Sequence, residues 1–310
     1  DVLDILNLAR AYPGVLPGDL VRRSSTLAGM MVSWLTTMIH PDGEISLFND
    51  AAFGISGSPG ELNAYATRHG CEAASGPPAV DFRAASGYIR LMSGDMVALL
   101  DVGRIGPDYL PGHAHADSLT FEMSLFGQRV VVDSGTSCYG TGAERLRQRG
   151  TAAHNTVVID GKDSSEVWSG FRVARRAFPG PVSCRENGSK TVEVQASHDG
   201  YSRLPGRPVH YRNWRSCQGR FTVTDRIQGK FRQARAMFHL HPAVRATLQG
   251  EDGRVILSLD GGKEVLIAVH GAAPRLVETT WHPEFGLSVP ATALMIEFQG
   301  SDVVTEFSWR

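Results

Sequence analysis

Two histidines and an aspartate alternate in the sequence GHAHAD at residues 112–117, directly after Pro111. Side chains at positions i and i+2 of an extended strand project from one face, so His113, His115 and Asp117 are expected to face one site. Imidazole and carboxylate groups are common zinc ligands, and histidine is also the side chain that most often moves protons near neutral pH. The stretch therefore predicts a metal site or an acid–base pair, and a hydrogen-bonded structural histidine is the alternative.

A familiar metal-binding pattern of hydrolases is disfavoured by the next residue. The pattern HxHxDH needs a histidine after the aspartate, but Ser118 follows Asp117 here. No alternation of strands and helices surrounds the run either. A metal-dependent hydrolase is therefore kept only as a lesser alternative.

Composition narrows the class of protein. The chain has 310 residues, 42% of them hydrophobic, and a formal net charge of −1, which predicts a globular protein with a large core and argues against a general nucleic-acid binder. The longest apolar run, residues 27–39, is too short and too interrupted by hydroxyl side chains to span a bilayer, so we expect a packed helix and no membrane partner. The four cysteines lack a CxxC pair, so neither a zinc ribbon nor a dense disulfide framework is predicted.

The secondary structure predicted around the GHAHAD stretch changes along the chain from helices to strands. Residues 1–40 predict two amphipathic helices that the turn at residues 13–17 separates. The second helix carries apolar residues at three- and four-residue steps, namely Leu27, Met30, Met31, Trp34, Leu35 and Met38. From Tyr88 onward the chain offers short alternating runs that predict strands at 88–92, 96–102, 119–126, 129–133, 156–159, 191–195, 220–225, 235–241, 255–259 and 264–269.

These elements predict a mainly β fold, a large antiparallel β-sandwich preceded by a short α-helical segment. No helical period interrupts the strand region. The domain boundaries that follow are a helical segment at 1–52, an irregular joint at 53–80, rich in Gly, Ser and Ala, and the β-sandwich at 81–310.

Four short sequences then follow one another in the order of a known family. They are HAHAD at 113–117, a strand ending in FG at 126–127, VDSGT at 132–136 and HNTVVIDG at 154–161. Together they resemble the C-terminal β-domain of the heparinase II/III-like polysaccharide lyases, strongly over residues 97–177 and diffusely over the other strands. The resemblance implies a β-sandwich that follows an incomplete α/α toroid, and β-elimination on acidic polysaccharides.

The resemblance also implies roles for single residues. His115, Asp133 and His154 match the family's ligands for a divalent ion, usually zinc. His113 matches an active-site histidine that precedes the first ligand, and Tyr139 stands where some members carry a catalytic tyrosine.

Spacing tests whether these residues can meet. If Gly127 and Gln128 form a two-residue hairpin turn, Asp133 faces Glu122, which lies seven residues from His115. Seven residues of straight strand span about 23 Å. A shared metal therefore requires the chain from His115 to Ser118 to turn back.

The implied chemistry assigns further residues. β-Elimination on a uronic acid requires that the carboxylate is neutralised, the C5 proton is removed and the oxygen leaving C4 is protonated. His113 and Tyr139 fit the base and the acid if neighbouring charge tunes their pKa values. Arg145 and Arg149 are predicted to hold the substrate carboxylate by charged hydrogen bonds, and ion pairs with Glu144 or other acids are the alternative.

The sequence thus predicts a polysaccharide lyase with an acidic polysaccharide or oligosaccharide as its partner. The alternative is a non-catalytic, metal-braced module that binds polysaccharide. A homodimer and a periplasmic or secreted location are further expectations, although the N-terminal residues show no export signal.

The helical segment is too short for a toroid, which in the resembling lyases supplies the Asn or His that neutralises the carboxylate. We therefore expect these 310 residues alone to be a poor catalyst and an N-terminally longer protein to be more active. Asn49 and Asp50 are interpreted as a turn and not as a substitute for that group.

Overall fold

In the described part of the chain, three α-helices precede the first strand, and a fourth lies within the β region. The computed structural model describes residues 1–71, 77–187, 191–250 and 253–310. The helices are α1 (Val2–Ala11), α2 (Gly18–Thr37), α3 (Pro59–Arg68) and α4 (Ala143–Arg149). The two helices predicted for residues 1–40 are confirmed as α1 and α2.

The strands form three main sheets in which all paired strands are antiparallel. The first is a five-stranded meander of β1 (Val80–Arg83), β2 (Tyr88–Ser93), β3 (Met96–Asp101), β4 (Phe121–Leu125) and β5 (Gln128–Val131). The second has eight strands, β9 (Ser183–Asn187), β10 (Thr191–His198), β11 (Val209–Cys217), β12 (Arg220–Gln228), β14 (Arg245–Gln249), β15 (Arg254–Ser258), β16 (Glu264–His270) and β19 (Asp302–Trp309), in the order β14-β15-β16-β19-β12-β11-β10-β9.

The third sheet has four strands, and a small hairpin lies apart from it. Its strands are β6 (Val157–Ile159), β13 (Ala234–His239), β17 (Pro274–Trp281) and β18 (Val289–Phe298), in the order β17-β18-β13-β6. The hairpin pairs β7 (Val167–Trp168) with β8 (Arg172–Val173). A bridge between Val131 and Leu240 joins the first sheet to the third.

The core lies between the eight-stranded sheet and the layer that the other two main sheets form. Phe121 of β4 contacts Phe221 of β12 and Phe238 of β13, with ring centroids 5.7 and 5.9 Å apart. Buried and solvated residues alternate along β11 and β12, because only one face of that sheet meets the core. The predicted mainly β, antiparallel sandwich is confirmed, and each of the ten predicted strand segments overlaps a strand.

Two expectations about helices are corrected. Residues 59–68 of the predicted irregular joint form α3, whose start is fixed by a capping box between Ser58 and Glu61. Residues 72–76 of that joint lie outside the described part of the chain. The region expected to consist of strands contains α4, since ERLRQR at 144–149 is composed of good helix formers.

The second helix packs through a different face from the one its apolar pattern suggested. Ala28 and Val32 are buried against α1 and α3, whereas Met30 and Met31 are more than half exposed. Small side chains therefore form the packed face. Within the described residues, none of the helices combines the length and the apolar character that crossing a bilayer requires.

Buried polar contacts attach the segment after α2 to the outer face of β4. His40 Nε2 donates to Glu122 Oε2 at 2.8 Å, and His40 Nδ1 lies 2.7 Å from Ser124 Oγ. Arg129 joins the same cluster and also pairs with Asp42, Nε to Oδ2 at 2.6 Å. Because buried polar groups need partners, these contacts hold residues 40–50 against the β-domain.

A buried ion pair connects the two loops of the candidate site to the eight-stranded sheet. Arg212 binds both oxygens of Asp225, at 2.7 and 2.9 Å, and His210 Nε2 donates to the same carboxylate at 2.7 Å. Arg212 also donates to the carbonyl oxygens of Leu119 and Asn155. Leu119 lies in the loop that contains His115, and Asn155 directly follows His154. The ion pair therefore fixes both loops.

Asp225 is expected to make the protein less stable in acid. Burial raises the pKa of this carboxyl, but the charge of Arg212 and the hydrogen bonds from His210 and Arg212 outweigh burial and lower it to about 2. In an unfolded chain the pKa is about 3.9. The ionised carboxyl therefore stabilises the fold at higher pH, and a stabilisation on the order of 2 kcal/mol is lost progressively as the pH falls from about 5 to about 1.

Urea unfolding at about pH 6 and about pH 2 measures this loss. Asp225→Asn should lose less stability between these two conditions than the wild type does. Asp302→Asn, which removes an exposed partner of Arg226, is the matched control and should behave as the wild type does. An equal acid-induced loss in the wild type and Asp225→Asn would contradict the role of Asp225.

Candidate active site

The GHAHAD stretch is a loop and not the predicted extended strand. Thr120 N donates to the carbonyl oxygen of Asp117 at 2.9 Å, and Leu119 has a positive φ of 64°. Ala116 N donates to the carbonyl oxygen of Arg149 at 2.9 Å. The chain therefore turns back after His115. The spacing argument required this turn if His115 and Asp133 are to share a metal.

The predicted register of the hairpin is wrong by one residue. Phe126 and Gly127 form the turn. Their φ values of 53° and 79° are positive, as both central positions of a type I′ turn require. Leu125 pairs with Gln128, and a bulge then pairs Met123 with Val131. Asp133 therefore does not face Glu122.

One buried amide explains why distant parts of the chain meet at this site. Asn155 Nδ2 donates to the carbonyl oxygen of Val132 at 2.9 Å and to a carbonyl oxygen on β4 at 2.8 Å. Asn155 Oδ1 accepts a hydrogen bond from His239 N on β13 at 2.6 Å. These bonds hold the ends of three strands together and place Asp133 beside His154.

Asp133 and His154 form a fully buried pair. His154 Nδ1 donates to Asp133 Oδ2 at 2.7 Å, and the ring centroids of His115 and His154 are 5.2 Å apart. Eleven buried side-chain atoms among the described residues have no hydrogen-bond partner, and three of them belong to the predicted ligands and the GHAHAD stretch: His115 Nδ1, His154 Nε2 and Asp117 Oδ2. An unsatisfied buried polar atom costs about 1–3 kcal/mol, so these atoms favour a bound group.

Burial and nearby charges shift the pKa values of His154, His115 and Asp117 from their usual range. Burial lowers the pKa of His115 to about 3 despite a hydrogen bond to Asp50, so this imidazole is neutral at neutral pH, as a metal ligand must be. Burial raises the pKa of Asp117 to about 7 against the charge of His154. For His154 itself, the charge and hydrogen bond of Asp133 outweigh burial and raise the pKa to about 8, so an ion bound there would have to displace a proton.

Asp50 lies at the centre of the site, although sequence reasoning interpreted it as part of a turn. It does lie in a turn, after Asn49 with φ of 58°. Asp50 Oδ2 accepts from His113 Nδ1 at 2.9 Å, and Oδ1 accepts from His115 Nε2 at 2.8 Å. Arg145 donates to both oxygens. Burial raises the pKa of Asp50, but His115 and Arg145 hold it well below its usual range.

Exposed aromatic rings surround His113 at the surface. The His113 side chain is 62% exposed, and its ring centroid lies 6.0 Å from that of Tyr139, which is itself 47% exposed. Phe171 and Phe285 lie 5.1 and 4.8 Å from Tyr139. The two predicted catalytic side chains are therefore neighbours at an accessible surface.

The structure places Arg145 and Arg149, which were predicted to hold a substrate carboxylate, in the interior of the domain. Both side chains are buried, and Arg145 is committed to Asp50. Arg149 donates to the carbonyl oxygens of Ala114, at 2.8 Å, and Gly170, at 3.1 Å. Both guanidinium groups therefore hold the loops of the site together.

The predicted metal ligands have the chemistry that a divalent ion requires, but their side chains are not arranged around a common point. No group of three His, Cys, Asp or Glu side chains in the described part of the chain is arranged to hold a metal ion. His115 nevertheless has the bonding of a metal-binding histidine, since Nε2 donates to the Asp50 carboxylate and Nδ1 is free. Asp133 and His154 are in direct contact and supply the oxygen and nitrogen that zinc prefers.

Solved structures that share this fold include two heparinase III structures and a heparan sulfate lyase. One heparinase III has a TM-score of 0.76 at 15% identity, covering 100% of this chain and 50% of that chain. A second heparinase III has a TM-score of 0.74 at 16% identity, with coverages of 99% and 52%. The heparan sulfate lyase HepC from Pedobacter heparinus has a TM-score of 0.70 at 17% identity, with coverages of 99% and 49%. The chain thus spans about half the length of these enzymes.

The sequence comparison gives the family. A comparison with curated proteins gives no match. The sequence profile described as "Heparinase II/III-like, C-terminal" matches residues 75–310, which is most of the chain. It includes the four short sequences on which the resemblance was based. The protein belongs to the heparinase II/III-like family through this C-terminal domain.

Proposed function

We propose that the protein takes part in the β-elimination of acidic, uronate-containing polysaccharides. The observation that carries this proposal is the exposed His113, bonded to a buried carboxylate, beside the exposed Tyr139. Two side chains that can move protons thus lie together at the surface of a domain from a family of polysaccharide lyases.

The two side chains differ in the proton transfer that suits them. Burial raises the pKa of Tyr139, and the charge of Asp50 adds to this while Arg145 opposes it. A protonated phenol can donate to the oxygen that leaves C4. His113 is then the base that removes the C5 proton.

The names of the similar enzymes suggest which substrates to test first. They are heparinases III and a heparan sulfate lyase, so heparan sulfate is the first substrate to test, followed by alginate and bacterial exopolysaccharides. All three carry uronate carboxylates.

The test is the ultraviolet absorbance of the unsaturated uronate that elimination creates. Absorbance that grows with one of these glycans supports the lyase, and its absence with all of them, in an N-terminally longer protein as well as in these 310 residues, contradicts the proposal. Reducing ends without absorbance would indicate a hydrolase instead. Retained binding without any cleavage would indicate a non-catalytic binding module.

A divalent ion, with zinc as the first candidate, is part of the proposal. His115, Asp133 and His154 would hold it, and the free buried nitrogen of His115 supports this set. When bound, the ion would tie the turn after His115 to the ends of β5 and β6 and so stabilise the site.

Purified protein is expected to contain about one divalent ion per chain, and its removal by a chelator should lower Tm. Elemental analysis and thermal unfolding measure these two effects. His154→Ala should lose the ion, whereas His282→Ala, another buried histidine outside the ligand set, should keep it. A metal-free wild type, or unchanged metal content in His154→Ala, would contradict the site.

A further inference from the structure

The Asp50 carboxylate is saturated with hydrogen-bond donors. Oδ2 accepts from His113 Nδ1 and Arg145 Nη2, at 2.9 and 2.7 Å. Oδ1 accepts from His115 Nε2 at 2.8 Å and from Arg145 Nη1, with Thr136 Oγ1 more distant at 3.5 Å. A carboxylate has about four lone-pair positions, and two histidines with one bidentate arginine fill them.

This saturation determines which nitrogen of each histidine carries a proton. A carboxylate that accepts at all four positions has no place for a proton of its own, so it acts only as an acceptor. His113 must then carry hydrogen on Nδ1, and His115 must carry it on Nε2. In a neutral His113, the lone pair is therefore on Nε2, the ring nitrogen away from Asp50.

We propose that Asp50 is a positioning residue that fixes His113 in the Nδ1–H tautomer, and that Arg145 in turn fixes Asp50. The inference rests on the proposed function for its catalytic meaning, because a base must present a free lone pair to the C5 proton. Residues 40–50 are attached to β4 through His40 and Glu122, so the helical segment supplies an essential part of the site.

The geometry matches a general principle of histidine chemistry. The hydrogen bond that one ring nitrogen makes decides which nitrogen is protonated and how the ring is oriented. His113 needs such a partner more than the buried histidines do, because an exposed ring is otherwise free to rotate and to exchange tautomers. The buried pair of Asp50 and Arg145 is a rigid support for it.

The tautomer can be measured without substrate. In protein labelled with ¹⁵N-histidine, two-bond nitrogen–proton correlation spectra in mildly alkaline buffer distinguish Nδ1–H from Nε2–H rings. His113→Gln identifies the His113 signals by their loss. Wild-type His113 is expected in the Nδ1–H form, and a predominantly Nε2–H ring would overturn the proposal.

Asp50→Asn tests the cause. An amide nitrogen can donate, so His113 is expected to change to the Nε2–H form or to a mixture. Asp42 also lies in residues 40–50 and pairs with an arginine, Arg129. Asp42→Asn is therefore the control and should leave the His113 signals unchanged. An unchanged tautomer in folded Asp50→Asn would overturn the proposal, and if that variant does not fold, the wild-type spectrum decides.

Kinetics separate this inference from the proposed function. On a glycan that the wild type cleaves, Asp50→Asn should lower kcat by up to about 10⁴-fold with little change in KM, the loss known when a carboxylate that orients a catalytic histidine becomes an amide. A raised KM with unchanged kcat would overturn the positioning role. If the wild type cleaves no glycan, the proposed function fails while the tautomer assignment still stands on the spectra.

Discussion

Replacing His113 with glutamine is expected to reduce kcat on a cleavable acidic glycan by about 10²- to 10⁴-fold, the usual contribution of a general base. Glutamine keeps a hydrogen-bond donor near Asp50 but cannot accept the C5 proton. Because the His113 side chain is 62% exposed, Tm and metal content should stay at wild-type values. The initial rate of absorbance increase, measured over a range of glycan concentrations, gives kcat and KM separately.

His115→Gln is the matched comparison for this variant. The His115 side chain is fully buried, bonds Asp50 and keeps an unpartnered nitrogen, so its loss should lower stability and metal content together. Equal loss of metal in both variants would refute the division of roles between the two histidines.

Tyr139→Phe should keep fold and metal while slowing turnover, and full activity in that variant would exclude Tyr139 as the acid.

Replacing Arg145 with methionine is expected to destabilise the fold by about 3–5 kcal/mol, the usual effect of removing one partner of a buried ion pair. Methionine retains most of the aliphatic volume but leaves the Asp50 carboxylate without its bidentate partner. The free energy of unfolding, from urea denaturation monitored by fluorescence, measures the change.

Arg175→Met provides the control, since Arg175 pairs with Glu166 at the surface and is 69% exposed. An exposed pair contributes about 0–1 kcal/mol, so that variant should unfold almost as the wild type does. If Arg145→Met kept full stability and only raised KM, Arg145 would bind substrate as its sequence position first suggested, and the structural role would be wrong.

Local patterns were sufficient to predict the β-sandwich. Ten predicted runs each overlap a strand, and in half-buried strands such as β10 and β12 the period of two can be seen within a few residues. The other strands, β1, β7, β8, β9, β11, β14 and β17 to β19, were not predicted. The apolar stripe of α2 predicted a helix but the wrong packed face, since which side of a helix is covered depends on its neighbours. Helix α3 was missed because Gly, Ser and Ala at 53–76 outweighed the capping residues Ser58 and Glu61.

The sequence by itself determined the residue types of the site and their family, through the order of HAHAD, VDSGT and HNTVVIDG. Only the tertiary structure decided which of these side chains meet. Asp50 is 63 positions from His113 and 95 from Arg145, and no local pattern distinguishes a turn aspartate from a buried one. Arg145 and Arg149 were predicted to bind substrate because no local pattern distinguishes an exposed arginine from a buried one either. Their burial against Asp50 and backbone carbonyls is a long-range effect, since a buried charge is stable only where folding brings its partners to it.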